Sequence, residues 1–351
     1  MRVVPAVAPI ALALSLLSVG PAPAAEKPNV HIVATGGTIA GAQADVEQHG
    51  YTAGTFTVDS LIQAVPELKD IAAVTGEQLV NIPSQDMNDD VWLKLAKRLN
   101  ELLADPKVDG IVVTHGTDTL EETSYFTQLT VAGDKPVVFT GSMRPATAIS
   151  ADGPMNLYNS VAVAGNPAAR GYGSLVVLND EIHAARDVYK THTTSVDTFR
   201  SPEHGLVGRV DTGHPTLFGP PPPRGATYDV GALTALPQVE IIYAHSNMGR
   251  TLIDAAIAAG AKGLIVAGVG NGNMTKVAID TLAEVAKTGV VVVRSTKLAE
   301  GTVVRNAEVD DDKLGFVVSD DFKPGKARAL LQLALTRTSD PVEIQKIFDS
   351  H

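Results

Sequence analysis

Short apolar runs alternate with amphipathic stretches along nearly the whole chain from Asn29. Runs at 30–34, 79–82, 110–113, 136–140 and 174–178 have the length and β-branched content of buried strands. Between them Val91, Trp92, Leu95, Leu99, Leu102 and Leu103 recur at helical spacing, so they share one face. Residues 120–131 and 155–163 read as two further helices. The pattern breaks at Gly219-Pro220-Pro221-Pro222-Pro223, where four successive prolines exclude a helix interior or a central strand. Periodicity stays poor up to Leu236 and then restarts. Strands are predicted at 239–243, 263–267 and 290–294, with helices running to Ala259 and Lys287 and two more at the end of the chain. Strands alternating with helices predict the α/β class with covered, mainly parallel sheets. The expected organisation is two three-layer α/β domains. The larger covers 28–218, a linker spans 219–236, and the smaller covers 237–351. No internal repeat is visible.

The first 24 residues follow a different pattern. They hold one charge, Arg2, then an apolar run from Ile10 to Val19, then Ala22-Pro23-Ala24. A charged start, a short apolar centre and a small-x-small site predict a cleavable secretory signal peptide over 1–24 and a periplasmic product. The apolar run is too short to span a membrane, so no membrane partner is expected. The chain has no cysteine among its 351 residues, which removes disulfides, thiolate metal sites and a cysteine nucleophile. A net charge of −11 argues against a nucleic-acid surface.

In parallel sheets, ligands collect beyond the carboxyl ends of the strands. The segments that follow the predicted strands are Thr35-Gly36-Gly37-Thr38, Pro83-Ser84-Gln85-Asp86, Thr114-His115-Gly116-Thr117-Asp118-Thr119 and Gly268-Val269-Gly270-Asn271-Gly272-Asn273. They are rich in hydroxyls, glycines and single carboxylates. No glycine-rich loop carries a phosphate-binding lysine, and the nine histidines include no zinc-binding helix motif. Gly-x-Ser-x-Gly is missing as well. Gly268 and Gly270 begin a dinucleotide fingerprint, but Asn273 occupies its third glycine position. Hydroxyl nucleophile chemistry remains. A threonine hydroxyl needs a nearby base, and Lys190, in Arg186-Asp187-Val188-Tyr189-Lys190, is a candidate partner for Thr117 and Asp118.

Two stretches carry a specific resemblance. Ile32-Val33-Ala34-Thr35-Gly36-Gly37-Thr38-Ile39-Ala40 and Val112-Val113-Thr114-His115-Gly116-Thr117-Asp118-Thr119 resemble the paired signature motifs of bacterial L-asparaginases. The likeness continues through Ser84-Gln85-Asp86, Met143-Arg144-Pro145, Arg186 to Lys190, Gly270-Asn271-Gly272-Asn273 and Asn306 to Asp311, covering roughly 28–351. Together with the export signal, it resembles the periplasmic, type II class. The resemblance implies hydrolysis of L-asparagine to L-aspartate and ammonia, without metal or organic cofactor. It implies Thr38 as nucleophile, Tyr51 as its hydroxyl partner and Glu308 completing that group. Thr117, Asp118 and Lys190 form the implied second group. Ser84, Gln85 and Asp118 are implied to hold the α-carboxylate and α-amino groups of the substrate. Asn273 and Glu308 resemble residues that a neighbouring subunit lends to the site of a homotetramer built from intimate dimers.

Elementary chemistry fits these roles. A zwitterion needs acceptors such as Asp118 and Glu308 for its ammonium, and donors such as Ser84 for its carboxylate. Glycines beside Thr38 and Thr117 let main-chain N–H groups approach a developing oxyanion. The polar, glycine-bearing stretch 41–54, which holds Tyr51, has the composition of a lid. His115 reads as a structural histidine, Trp92 and Tyr158 as core residues, and Asp310-Asp311-Asp312 as a solvated charge run. Some periplasmic relatives carry a cysteine pair that this chain lacks. Ser84-Gln85-Asp86 and Asn273 resemble asparagine-preferring members, with minor glutaminase activity expected because one methylene is weakly discriminated. The alternatives are an asparaginase–glutaminase of broad specificity and a periplasmic amino-acid binding protein, which would need the zwitterion ligands but not Lys190 or Tyr51.

Overall fold

The computed structural model describes residues 26–41 and 57–351, together with Val3. The rest of the predicted signal peptide, the greater part of the predicted lid and Tyr51 therefore lie outside the described residues. The first part of the chain forms strands β1 (Asn29–Gly36), β2 (Ala73–Ile82), β3 (Gly110–Thr114), β4 (Val137–Thr140), β5 (Ser174–Leu178) and β6 (Glu181–Ala184). A small hairpin follows, β7 (Tyr189–Lys190) and β8 (Phe199–Arg200), and then β9 (Gly208–Asp211) and β10 (His214–Leu217). Eight of these make one sheet in the order β10-β9-β6-β5-β4-β3-β1-β2. The five from β2 to β5 in that order run parallel, and β6, β9 and β10 add an antiparallel edge. Helices α1 (Val58–Gln63), α2 (Leu68–Ile71), α3 (Asp89–Ala104), α4 (Leu120–Thr130) and α5 (Gly153–Ala164) cover it.

Strand alternation sorts the side chains onto two faces. Val30, Ile32, Val112, Val138 and Leu175 pack with Leu157 and Val161 of α5 and with α1 and α2. Val33, Ile111, Val113, Phe139 and Val176 point the other way, onto Leu95, Leu99 and Leu102 of α3. Both faces are buried, which is why these strands are apolar runs without polar alternation. Helix α3 starts where Asn88 Oδ1 accepts from Val91 N–H at 3.1 Å, with Asp89 and Asp90 in its first turn favouring the positive helix end.

The remainder builds a second sheet of four parallel strands, β11 (Val239–Tyr243), β12 (Gly263–Gly268), β13 (Val291–Thr296) and β14 (Phe316–Val318). Helices α6 (Thr251–Ala258) and α7 (Lys276–Ala286) cover one face, and α8 (Asp311–Leu314) precedes β14. On the other face lie α9 (Pro324–Ala334) and α10 (Pro341–Asp349). Helix α9 also packs on α4, so Trp92, Tyr125 and Phe126 of the large unit share one core with Leu330, Leu331 and Val293 of the small one. The two-unit, three-layer α/β reading matches this architecture.

Several details differ from the sequence expectation. Strands β6 to β10 and β14 are two to four residues each, too short for a period to register. Residues 219–236 hold no helix or strand, but the stretch does not hang free. Tyr228 N–H donates to Leu129 O at 2.7 Å, and Tyr228 and Val230 are buried. The reading of Asp310-Asp311-Asp312 as a solvated run is wrong at its centre. Asp311 is completely buried and accepts from Arg294 Nε at 2.6 Å and Nη2 at 2.7 Å. Arg294 stands in the middle of a buried strand, and its guanidinium can exist there only with such a partner.

Candidate active site

The chain leaves β1 toward β2 on one side and builds β3, β4 and β5 on the other, so the sheet changes direction between β1 and β3. Crossovers diverge there and leave a crevice at the carboxyl ends of the strands. Thr38 lies in it, buried on the short turn Thr38–Ala40 that follows β1. Gly36 and Gly37 lead into that turn at φ of 107° and 86°, in the left-handed region that favours glycine. The loop after β3 crosses directly against it, and there Gly116 presses on Ser84 from the loop after β2. A Cβ on Gly116 would stand 2.5 Å from Ser84 Oγ. Three loops are thus locked together by contacts that admit no added carbon.

Ser84 is buried within this junction. Its Oγ accepts from the Asp118 N–H at 3.2 Å, and its carbonyl accepts from Thr119 Oγ1 at 2.7 Å. Gln85 is exposed on the same turn. Thr117 is buried and Asp118 exposed, although they are neighbours in sequence. Lys190 reaches both from the β7–β8 hairpin. Its Nζ donates to Thr117 Oγ1 at 2.9 Å and to Asp118 Oδ1 at 2.7 Å. A cleft of about 400 Å³ opens beside Asp118, Lys190 and Thr191.

His115 is fully buried, and its Nδ1 donates to Gly116 O at 2.7 Å. Burial pushes its pKa down to about 4, so the ring is neutral at pH 7 and braces the loop. Asp187, His204 and Asp321 also cluster closely, with the geometry of a cation site. A cation is already there. The Arg186 guanidinium donates to Asp321 at 2.7 and 2.9 Å and to Asp187 at 3.0 Å.

The structure brings Ser84, Thr117, Asp118 and Lys190 together next to the Thr38 turn. Among the described residues, Asn273 and Glu308 are not hydrogen-bonded to this group. Those two belong to the small unit and pair with each other, Asn273 Nδ2 donating to Glu308 Oε2 at 2.9 Å. One neighbour of the site escaped the sequence reading. The Glu121 carboxylate accepts the main-chain N–H of Lys190. Glu121-Glu122 looks like the ordinary acidic first turn of a helix, and only the distance from the second motif could have marked it.

Residues 29–223 match the family model for the asparaginase N-terminal domain, and residues 238–348 match that for the glutaminase/asparaginase C-terminal domain. The chain belongs to the asparaginase family. It is 53% identical over 339 residues to L-asparaginase 2 of Bacillus subtilis, covering 95% of this chain and 90% of that protein. It is 51% identical over 336 residues to a probable periplasmic L-asparaginase of Haemophilus influenzae, covering 95% and 96%. Among solved structures, a probable cytoplasmic L-asparaginase of Campylobacter jejuni superposes with a TM-score of 0.90 at 46% identity, covering 93% of this chain and all of that one. In this asparaginase, then, the paired signature loops are the two that interlock at Gly37 and Gly116.

Proposed function

We propose that this chain is an L-asparaginase, hydrolysing L-asparagine to L-aspartate and ammonia through a threonine nucleophile. The observation that carries the reading is Lys190 Nζ on both Thr117 Oγ1 and Asp118 Oδ1 beside the Thr38 turn. A module that only bound an amino acid would have no use for an ammonium placed on a buried hydroxyl.

Thr38 Oγ attacks the side-chain carboxamide carbon of the substrate, and its proton is taken up by the surrounding basic groups. The tetrahedral oxyanion meets main-chain N–H groups of the glycine-rich loops. The C–N bond breaks and ammonia leaves after gaining a proton, which creates an aspartyl ester on Thr38. Water then attacks the ester carbon, L-aspartate departs and the hydroxyl regains its proton. Thr117, Lys190 and Asp118 assist by moving protons to and from the attacking species, and Tyr51 and Glu308 complete the Thr38 group. Ser84, Gln85 and Asp118 hold the substrate's α-groups, and Asn273 and Glu308 reach a neighbouring subunit's site within a tetramer of intimate dimers.

We assign the large unit to 28–218, the linker to 219–236 and the small unit to 237–351. The signal-like residues 1–24 support export to the periplasm, with removal near Ala24. Ammonia release by Thr38→Ala and Thr117→Ala variants tests the chemistry. Both should be inactive while circular dichroism stays unchanged, and full activity of Thr38→Ala would overturn the mechanism. The second family model covers glutaminases too, which favours a side activity on L-glutamine. The ratio of kcat/KM for the two amides on one preparation separates a selective enzyme from a broad one.

A further inference from the structure

Lys326 is 0% exposed, although it lies on α9, a helix of the small unit. Its Nζ donates to Arg186 O at 2.7 Å and to Val188 O at 2.6 Å. The same ammonium stands 3.8 Å from the centroid of the Tyr189 ring. Its partners are thus the main chain and side chain of the residues that lead directly to Lys190. Glu121, on α4 of the large unit, accepts the Lys190 N–H of that same segment.

Burying an ammonium costs several kcal/mol that a leucine or methionine of similar volume would not incur. Around it, α4 and α9 share a core of apolar and aromatic side chains that includes Tyr125, Phe126, Leu330 and Leu331. Burial drives the Glu121 carboxyl up and the Lys326 ammonium down, and the opposite charge of each partner resists the shift of the other. A charged group buried at such a penalty, with its two carbonyl acceptors on one short segment, is explained by what that segment carries.

We propose that Lys326 is a positioning residue for Lys190. It reaches from the small unit to the Arg186 and Val188 carbonyls and sets where the strand lies. Glu121 clamps the same strand from the large unit. Together they place Lys190 Nζ within reach of Thr117 and Asp118 at once. A misplacement of about 1 Å in such a group can cost on the order of a hundredfold in rate. Neither Lys326 nor Glu121 touches the reacting atoms. The inference rests on the role given to Lys190 under the proposed function.

The test compares ammonia release from L-asparagine by the full-length Lys190→Ala, Lys326→Met and double variants, each checked for folding by circular dichroism and urea unfolding. Lys326→Met should lower kcat ten- to a hundredfold, roughly, with KM changed less than about twofold. If Lys326 acts only through Lys190, the double variant should be no slower than Lys190→Ala alone. Wild-type kcat in Lys326→Met, or losses that multiply in the double variant, would overturn the proposal. Should Lys326→Met fail to fold, Glu121 decides. Glu121→Gln keeps an oxygen for the Lys190 N–H and should retain kcat within about threefold, whereas Glu121→Leu should lose at least about tenfold. Equal rates in those two variants would overturn the clamp. Full activity in Lys190→Ala would overturn the role of Lys190 itself, which is distinguishable from an inactive Lys190→Ala beside a fully active Lys326→Met.

Discussion

Gly37 and Gly116 meet backbone to backbone: a Cβ added to Gly37 would stand 2.3 Å from the Gly116 nitrogen. Two loops that leave different strands therefore touch at a point where neither can retreat. Gly37 also holds φ of 86°, where a side chain adds strain of its own. Gly37→Ala should push the Thr38 turn and the Thr117 loop apart. The expected result is a loss of more than about 2 kcal/mol in urea unfolding and at least a hundredfold, roughly, in kcat. An alanine variant with near-native kcat would show that the loops are freer than the contact implies.

Much of this fold could be read from the chain because its sheets are covered on both faces. The runs at 174–178 and 239–243 coincide with β5 and β11 residue for residue. Strands β9 and β10, at the antiparallel end of the sheet, were not legible, since Gly208 and Pro215 break any apolar run and each strand has only four residues. The site was legible by resemblance at Thr38 and Thr117, and only weakly by chemistry at Lys190. Lys326 was not legible at all. On α9 it reads as one more polar position of an amphipathic helix, and its burial arises from a second packing layer, α4, that no local period reports. Arg294 does carry a signal: a guanidinium directly after Val291-Val292-Val293 in a buried strand demands a buried anion, and Asp311 is that anion.

The Arg294–Asp311 pair gives a stability prediction of its own. Both side chains are essentially excluded from water. The guanidinium also donates to the carbonyls of Asn271 and Gly272 at 3.1 and 3.2 Å, so it ties down the loop that carries Asn273. Removing one partner leaves an uncompensated charge in the core. Asp311→Ala should cost about 3–5 kcal/mol in chemical unfolding, whereas removing both charges with apolar replacements should cost less than the single change. A single variant as stable as the wild type would mean that water already reaches the pair.

Acid should weaken the fold through two histidines. His183 is buried, with Arg200, Lys326 and Arg209 nearby, and burial first and those cations second push its pKa down to about 3. Glu181 lies 3.7 Å from its Nε2. His115 is held at about 4 by burial. In the unfolded chain both titrate near 6.5, so below that pH the unfolded state binds protons that the folded state refuses. Their contribution is complete above pH 6.5 and is lost as the pH falls toward 4 and 3. Between pH 7 and pH 5 each should cost on the order of 2 kcal/mol of unfolding free energy. His183→Asn should flatten the dependence by that amount, whatever it does to stability at pH 7. A variant whose slope matches the wild type would place the acid sensitivity elsewhere.

Asn273 and Glu308 pose the question of which chain they serve. They pair with each other on the small unit and share no hydrogen bond with Lys190, Thr117 or Asp118 of their own chain. If they complete a neighbour's site, Thr38 and Glu308 of one working centre come from different subunits. Thr38→Ala and Glu308→Ala proteins, each inactive alone, should then regain activity when refolded together. In a mixed dimer one centre carries both lesions and the other carries none. Random pairing makes half of the dimers mixed, so recovery should approach about a quarter of wild-type kcat. If both residues served the same chain, every centre in the mixture would hold one lesion and no activity would return. The recovered fraction therefore reads directly which subunit Glu308 belongs to in the working enzyme.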